Sequence, residues 1–193
     1  MDNWDKINMT SGTWERPEPP VVKFMNQVRS DRGEDIMVLD VGPGRSGRHS
    51  RLIEEMGLGL ISVDVSHACR AHYHVKNGIA EVPFQAETFD IILDIKTLCQ
   101  DPVPPYNLLW SWLKPGGYLF AMMPTSEHLT RQDAFDIQHR SGYDYEYLRC
   151  ATAQEVGELL SMFSSVFTYN FVEPIKIGQE VKYLFSWCVE AQK

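Results

Sequence analysis

Residues 36–52, IMVLDVGPGRSGRHSRL, read as a strand, a glycine loop and a helix in succession. Residues 36–39 form a short apolar run of the kind a strand covered on both faces requires. Gly42 and Gly44 then interrupt the regularity. Glycine lets the chain turn sharply and lets a small molecule approach the main chain, and the helix that follows offers unpaired N–H groups at its start. A ligand site belongs at this loop.

Gly42-Pro43-Gly44-Arg45-Ser46-Gly47 satisfies GxGxxG, and Asp64 ends the next strand-like run, LISVDV, where a ribose-binding carboxylate would sit. A dinucleotide is one reading of that pattern. Asp40, two residues ahead of the first glycine, opposes it, because a carboxylate there repels a pyrophosphate. S-adenosylmethionine carries no phosphate but has an ammonium, a carboxylate, a sulfonium and a ribose diol. Asp40 suits its ammonium end and Asp64 its diol.

DVGPG, then VDVS about twenty residues on, then FDIILD and finally LKPGGYLF resemble the ordered motifs of class I S-adenosylmethionine-dependent methyltransferases. The resemblance spans residues 36–124. It implies a doubly wound, mostly parallel, seven-stranded α/β sheet closed by a C-terminal antiparallel hairpin, with S-adenosylmethionine as cofactor. The cofactor positions it implies are Asp40, Gly42, Pro43, Gly44, Asp64 and Val65. Ala80 and Glu81 are the adenine-side candidates, and Asp94, ending the fourth strand, the candidate at the methionine part. Between Asp64 and Phe89 there is room for a short helix and a minimal third strand, and GIAEVPF, residues 78–84, departs from the family pattern there in lacking the aspartate that often follows its glycine.

The N-terminal stretch WDKINMTSGTWERPEP is similar to the arm of the tellurite-resistance and thiopurine methyltransferase groups. That likeness implies that Trp14 lies over the cofactor and helps close the acceptor pocket. Trp4 and Trp14 read equally well as anchors packing the arm on the core.

Length, composition and charge narrow the function classes. A chain of 193 residues with 44% hydrophobic content is long enough for one full core, so a single domain over 1–193 is expected, with an arm and helix over 1–35. No apolar run approaches a membrane span, and the first twenty residues lack the basic and apolar regions of a signal peptide, which points to the cytoplasm. Four cysteines at 69, 99, 150 and 188 have no CxxC spacing, so reduced thiols are expected. Acids outnumber bases 26 to 18, a formal charge of −8, which disfavours a nucleic-acid partner and favours a small-molecule acceptor. The oligomeric state stays open.

The remaining elements follow from spacing. Val21, Phe24, Met25 and Val28 have helical period, ending near Gly33. Ser66 is a candidate cap for a helix over 66–78, in which Cys69 and His72 would share one face while His67 and His74 diverge, and with no matching ligand pair elsewhere no metal set is expected. Residues 89–95 read as the fourth strand. It ends Asp94-Ile95-Lys96-Thr97, without the Asn- or Asp-Pro-Pro-aromatic ending of nucleic-acid amino methyltransferases. Pro104-Pro105 instead opens a helix with Leu108, Leu109 and Trp112. LKPGG turns into a fifth strand over 118–124.

The polar, aromatic segment 125–151 leaves the sheet at its ligand edge, so an acceptor-side insertion is expected there. His128, His139 and Tyr143 are its acceptor-binding candidates. Thr152 and Glu155 form a capping box opening a helix with Val156, Leu159, Leu160 and Phe163 on one face. VFTYNFVEP and VKYLFSWCVE read as the closing hairpin. No catalytic residue is assigned, because an already ionised acceptor such as a thiolate needs no base. The competing functions are methylation of a nucleic acid or protein, and a module that binds the cofactor and transfers nothing.

Overall fold

A computed structural model of the chain describes residues 16–66, 74–101, 103–125, 151–177 and 180–193. Its frame is one seven-stranded sheet, in the order β3-β2-β1-β4-β5-β7-β6. The strands are β1 (Met37–Val41), β2 (Gly59–Asp64), β3 (His74–Lys76), β4 (Phe89–Ile95), β5 (Leu113–Pro124), β6 (Ser165–Ile177) and β7 (Glu180–Gln192). β1 to β5 pair in parallel, whereas β7 pairs antiparallel with both β5 and β6. This is the doubly wound sheet and closing hairpin expected from the sequence. Strand order reverses direction at β1, so the crevice beyond the carboxyl ends of β1 and β4 is the natural ligand site.

The described helices are α1 (Pro19–Arg32), α2 (Arg48–Glu55), α3 (Tyr106–Trp112) and α4 (Ala153–Leu159). Prolines at the start of α1 fit its first turn, where an N–H would have no helical partner. α4 opens with the expected capping box, in which the Glu155 N–H donates to Thr152 Oγ1 at 3.2 Å and Glu155 takes the Thr152 N–H at 2.7 Å.

Side chains of a strand alternate between the faces, and the two cores follow that alternation. Val38, Ile91, Leu93, Phe120 and Met122 pack with Val21, Phe24 and Met25 of α1 and Ile53 of α2. Leu39, Ile92, Leu119 and Val189 pack on the other face with Leu109 and Trp112 of α3 and Val156 of α4. Cys99 and Cys188 are buried and in no disulfide. Cys69 and Cys150 lie outside the described residues.

Three details differ from the sequence reading. The end of the helix expected over 66–78 is instead β3, which pairs Val75 with Val63 and Lys76 with Asp64. Pairing satisfies the outer edge of β2, a tertiary gain that local helical spacing does not register. Residues 67–73, with His67, Cys69 and His72, lie outside the described residues. β5 begins at Leu113, which pairs with Phe89 ahead of a register shift, so the LKPGG turn lies within the strand as an irregularity. β6 and β7 run four and three residues longer than the stretches read from the sequence, and Ile177 pairs with Glu180.

Candidate cofactor site

Three carboxylates end three neighbouring strands at the switch point, and the parity of each strand sets what each one meets. Asp40 shares a face of β1 with Val38 and turns toward α2, where the Ser50 hydroxyl donates to its Oδ2 at 2.6 Å. Ser50 also lies 3.1 Å from the Ser62 hydroxyl of β2. Asp40 is only 1% exposed, beneath the loop rather than facing out of it. Burial raises its pKa, against the opposing charge of His49 and the Ser50 bond.

Asp64 closes the loop from the side. Its Oδ2 accepts the Gly44 N–H at 3.0 Å and its Oδ1 the Ser66 N–H at 2.9 Å. The loop N–H that a pyrophosphate would need is thus already held by a carboxylate. Gly42 donates its N–H to the Val63 carbonyl at 2.7 Å and has φ +67, in the left-handed region. A Cβ built on Gly42 would collide with the Thr97 side chain. The loop is therefore a cradle pressed against the turn after β4.

Asp94 shares a face of β4 with Ile92 and turns toward α3. Its Oδ1 accepts the Leu98 N–H at 2.9 Å and the Thr97 N–H at 3.3 Å, and the buried Tyr106 hydroxyl donates to its Oδ2 at 2.8 Å. Oδ1 is thus committed to the turn that carries Thr97, and Oδ2 to α3. Burial lifts the Asp94 pKa to about 6 from 3.8, against the Leu98, Tyr106 and Thr97 bonds that lower it.

Because that value lies above the ordinary one, the fold binds the Asp94 proton more tightly than the unfolded chain does. The resulting stabilisation is complete below the ordinary value of 3.8 and is lost as pH rises through 6. Relative to Asp94→Asn, the wild type is expected to lose about 2 kcal/mol of stability between pH 4 and pH 7, on the order of 1.4 kcal/mol per pH unit of displacement. Urea unfolding of both proteins across that range checks it. Parallel profiles would refute it.

The other expected residues are spread more loosely. Val65, one residue past β2, is exposed. Ala80 and Glu81 lie in a single 3₁₀ turn, Ile79–Glu81, whose Glu81 carboxylate accepts the Gly78 N–H at 3.2 Å, and both residues are exposed. Trp14, His128, His139 and Tyr143 lie outside the described residues.

Sequence reasoning missed a buried ion network beside the loop. Glu18, just ahead of α1, meets Arg48 and His49 of α2, with His49 Nε2 2.6 Å from its Oε2. Lys96, after β4, lies 3.6 Å from Glu18 Oε1 and 2.7 Å from Glu173 Oε2 of β6. Burial alone would raise the Glu18 pKa. The His49 hydrogen bond and the charges of His49, Lys96 and Arg48 overcome burial and hold it at about 2. The one local signal was the place of Arg48 and His49 directly after the loop.

The arrangement fits a ligand with cationic groups and a diol better than one with phosphates, since carboxylates end β1, β2 and β4 around a glycine cradle. Residues 39–121 match the family described as a methyltransferase domain. No curated protein matches the chain.

Among solved structures, a Methanosarcina mazei S-adenosylmethionine-dependent methyltransferase is similar at 18% identity and TM-score 0.65, over 92% of this chain and 98% of that one. An Archaeoglobus fulgidus S-adenosylmethionine-dependent methyltransferase is similar at 17% identity and TM-score 0.67, over 90% and 93%. The Burkholderia thailandensis 1,6-didemethyltoxoflavin-N1-methyltransferase, solved with its acceptor and S-adenosylhomocysteine, is similar at 18% identity and TM-score 0.61, over 91% and 77%. At these identities the likeness is one of fold. Residues 39–121 thus match a methyltransferase domain, carried on the fold that these S-adenosylmethionine-dependent methyltransferases share.

Proposed function

We propose that the chain methylates a small-molecule acceptor held where β4 and β5 end. The observation that carries this reading is the anchorage of the acceptor-side insertion. Thr125 and Ala151 bridge in parallel at the carboxyl end of β5, and the Ala151 N–H donates to the Pro124 carbonyl at 3.0 Å. The buried Trp187 indole donates to the Ala151 carbonyl at 3.0 Å, while the Thr125 N–H donates to the Phe185 carbonyl at 3.1 Å. Thr125 and Ala151, the two residues that flank the segment, thus lie together at one point on the ligand edge, which suits a segment enclosing an acceptor. We assign His128, His139 and Tyr143 to the acceptor side on this basis, and Trp14 on the likeness of the N-terminal arm.

Charge supports the same reading. Arg48 and Lys96, two of the cations beside the loop, are engaged by Glu18 and Glu173 rather than offered to a phosphate backbone. The Burkholderia thailandensis protein of similar fold acts on a small heterocycle.

S-adenosylmethionine supplies an electrophilic methyl on a sulfonium. The protein's tasks are alignment and exclusion of water. Gly42 and Gly44 let the backbone lie close to the ligand, Asp64 orients the loop and takes the diol, and Asp40 acts from beneath through its charge. Asp94 holds the turn after β4 in place from the opposite face.

Formation of S-adenosylhomocysteine should be followed against thiols, tellurite and nitrogen heterocycles, with RNA, DNA and protein in parallel. Turnover with one small-molecule class is the expected result. Turnover confined to a macromolecule, with binding that weakens steeply in salt for a nucleic acid, would contradict it.

A further inference from the structure

We propose that Glu18 is a positioning residue for the cofactor loops, whose buried carboxylate ties the helix opening at the glycine loop to the turn that follows β4. The inference rests on the cofactor assignment and adds a residue to it. Glu18 directs no side-chain hydrogen bond to its own helix, and the prolines at the first two positions of α1 leave no N–H there to cap. Yet its side chain is only 3% exposed. A carboxylate that deep is costly unless it is paired, so its use lies in what it joins.

What it joins comes from both walls of the site. Arg48 and His49 are the first two residues of α2, directly after Gly47. Lys96 directly precedes Thr97, the residue pressed against Gly42. Arg48 and Lys96 both approach the same oxygen, Oε1, while His49 holds Oε2 at 2.6 Å. Without that negative charge, two partly buried cations face one another across the gap between loop and turn. Their repulsion moves one wall away from the other, and Glu173 holds Lys96 only on the β6 side. Lys96 also sits at φ +61, a left-handed conformation unusual for lysine, which the surrounding contacts must maintain.

The test is calorimetric titration with S-adenosylhomocysteine of wild type, Glu18→Gln, Lys96→Met and Val28→Ala, at a temperature where each is folded. Val28 is buried in α1 away from the network, so its truncation loosens the helix without touching Glu18. Glu18→Gln and Lys96→Met are expected to raise the dissociation constant about tenfold, equivalent to about 1.4 kcal/mol, with Val28→Ala unchanged in affinity although lower in melting temperature. Equal affinities in all four, or equal losses in Glu18→Gln and Val28→Ala, would reduce Glu18 to a structural role and overturn the proposal. Should Glu18→Gln not fold, Lys96→Met decides by the same comparison. Failure of the wild type itself to bind would overturn the cofactor assignment and this inference together, a result distinct from normal wild-type binding with unaffected variants.

Discussion

Asp64→Ala is expected to raise the dissociation constant for S-adenosylmethionine about 100-fold, because the charge-assisted hydrogen bonds assigned to the ribose diol, about 1.5–3 kcal/mol each, are lost and the loop loses its anchor. One oxygen of Asp64 holds the Gly44 N–H and the other the Ser66 N–H, so a single carboxylate sets the spacing between the glycine loop and the chain leaving β2. Alanine frees both N–H groups and also removes the group assigned to the ribose diol. Asp64→Asn keeps one acceptor oxygen without the charge and should fall between the two. Calorimetric titration measures all three proteins. An Asp64→Ala affinity within about threefold of wild type, less than the loss of even one such bond, would contradict the assignment.

Gly42→Ala is expected to weaken cofactor binding at least about tenfold and to lower the melting temperature by several degrees, since an L-residue in the left-handed region costs roughly 1–2 kcal/mol even without a collision. Here there is a collision as well. The new methyl group would meet Thr97, which cannot easily retreat because Asp94 grips the N–H groups of Thr97 and Leu98. The strain passes to the loop, whose start is fixed by the bond from Gly42 to the Val63 carbonyl. The double variant Gly42→Ala/Thr97→Gly relieves the collision but not the backbone strain, and should recover part of the loss. A double variant no better than Gly42→Ala would show that Thr97 does not confine the loop.

The frame of the molecule was legible because it is written in short-range periodicity. FDIILDI becomes β4 with its expected bounds, Phe89–Ile95, and Thr152 and Glu155 cap α4 as their spacing indicates. Pro105 does stand ahead of a helix, α3. The minimal third strand expected at 78–84 lies earlier, at β3, because its pairing with β2 is a long-range gain acting on only three residues, within a stretch whose local pattern reads as helical. Residues 79–81 likewise take a single 3₁₀ turn, leaving Ala80 and Glu81 exposed.

The site was legible in part. Asp40, Gly42, Gly44 and Asp64 converge on one loop, as their order along the chain suggested. Their neighbours could not be read off, because Glu18 meets His49 across 31 residues and Lys96 meets Glu173 across 77. Nothing in local spacing marks such pairs. The engagement of both Asp94 oxygens was equally hidden, since Tyr106 reaches it only once α3 has packed against β4.

Parallel calorimetric titration with S-adenosylmethionine, S-adenosylhomocysteine and NAD tests the central claim most directly. Three strand-end carboxylates around a glycine cradle are expected to bind both sulfur ligands and to reject the pyrophosphate of NAD. Binding of NAD without either sulfur ligand would contradict the account from Asp40 onward.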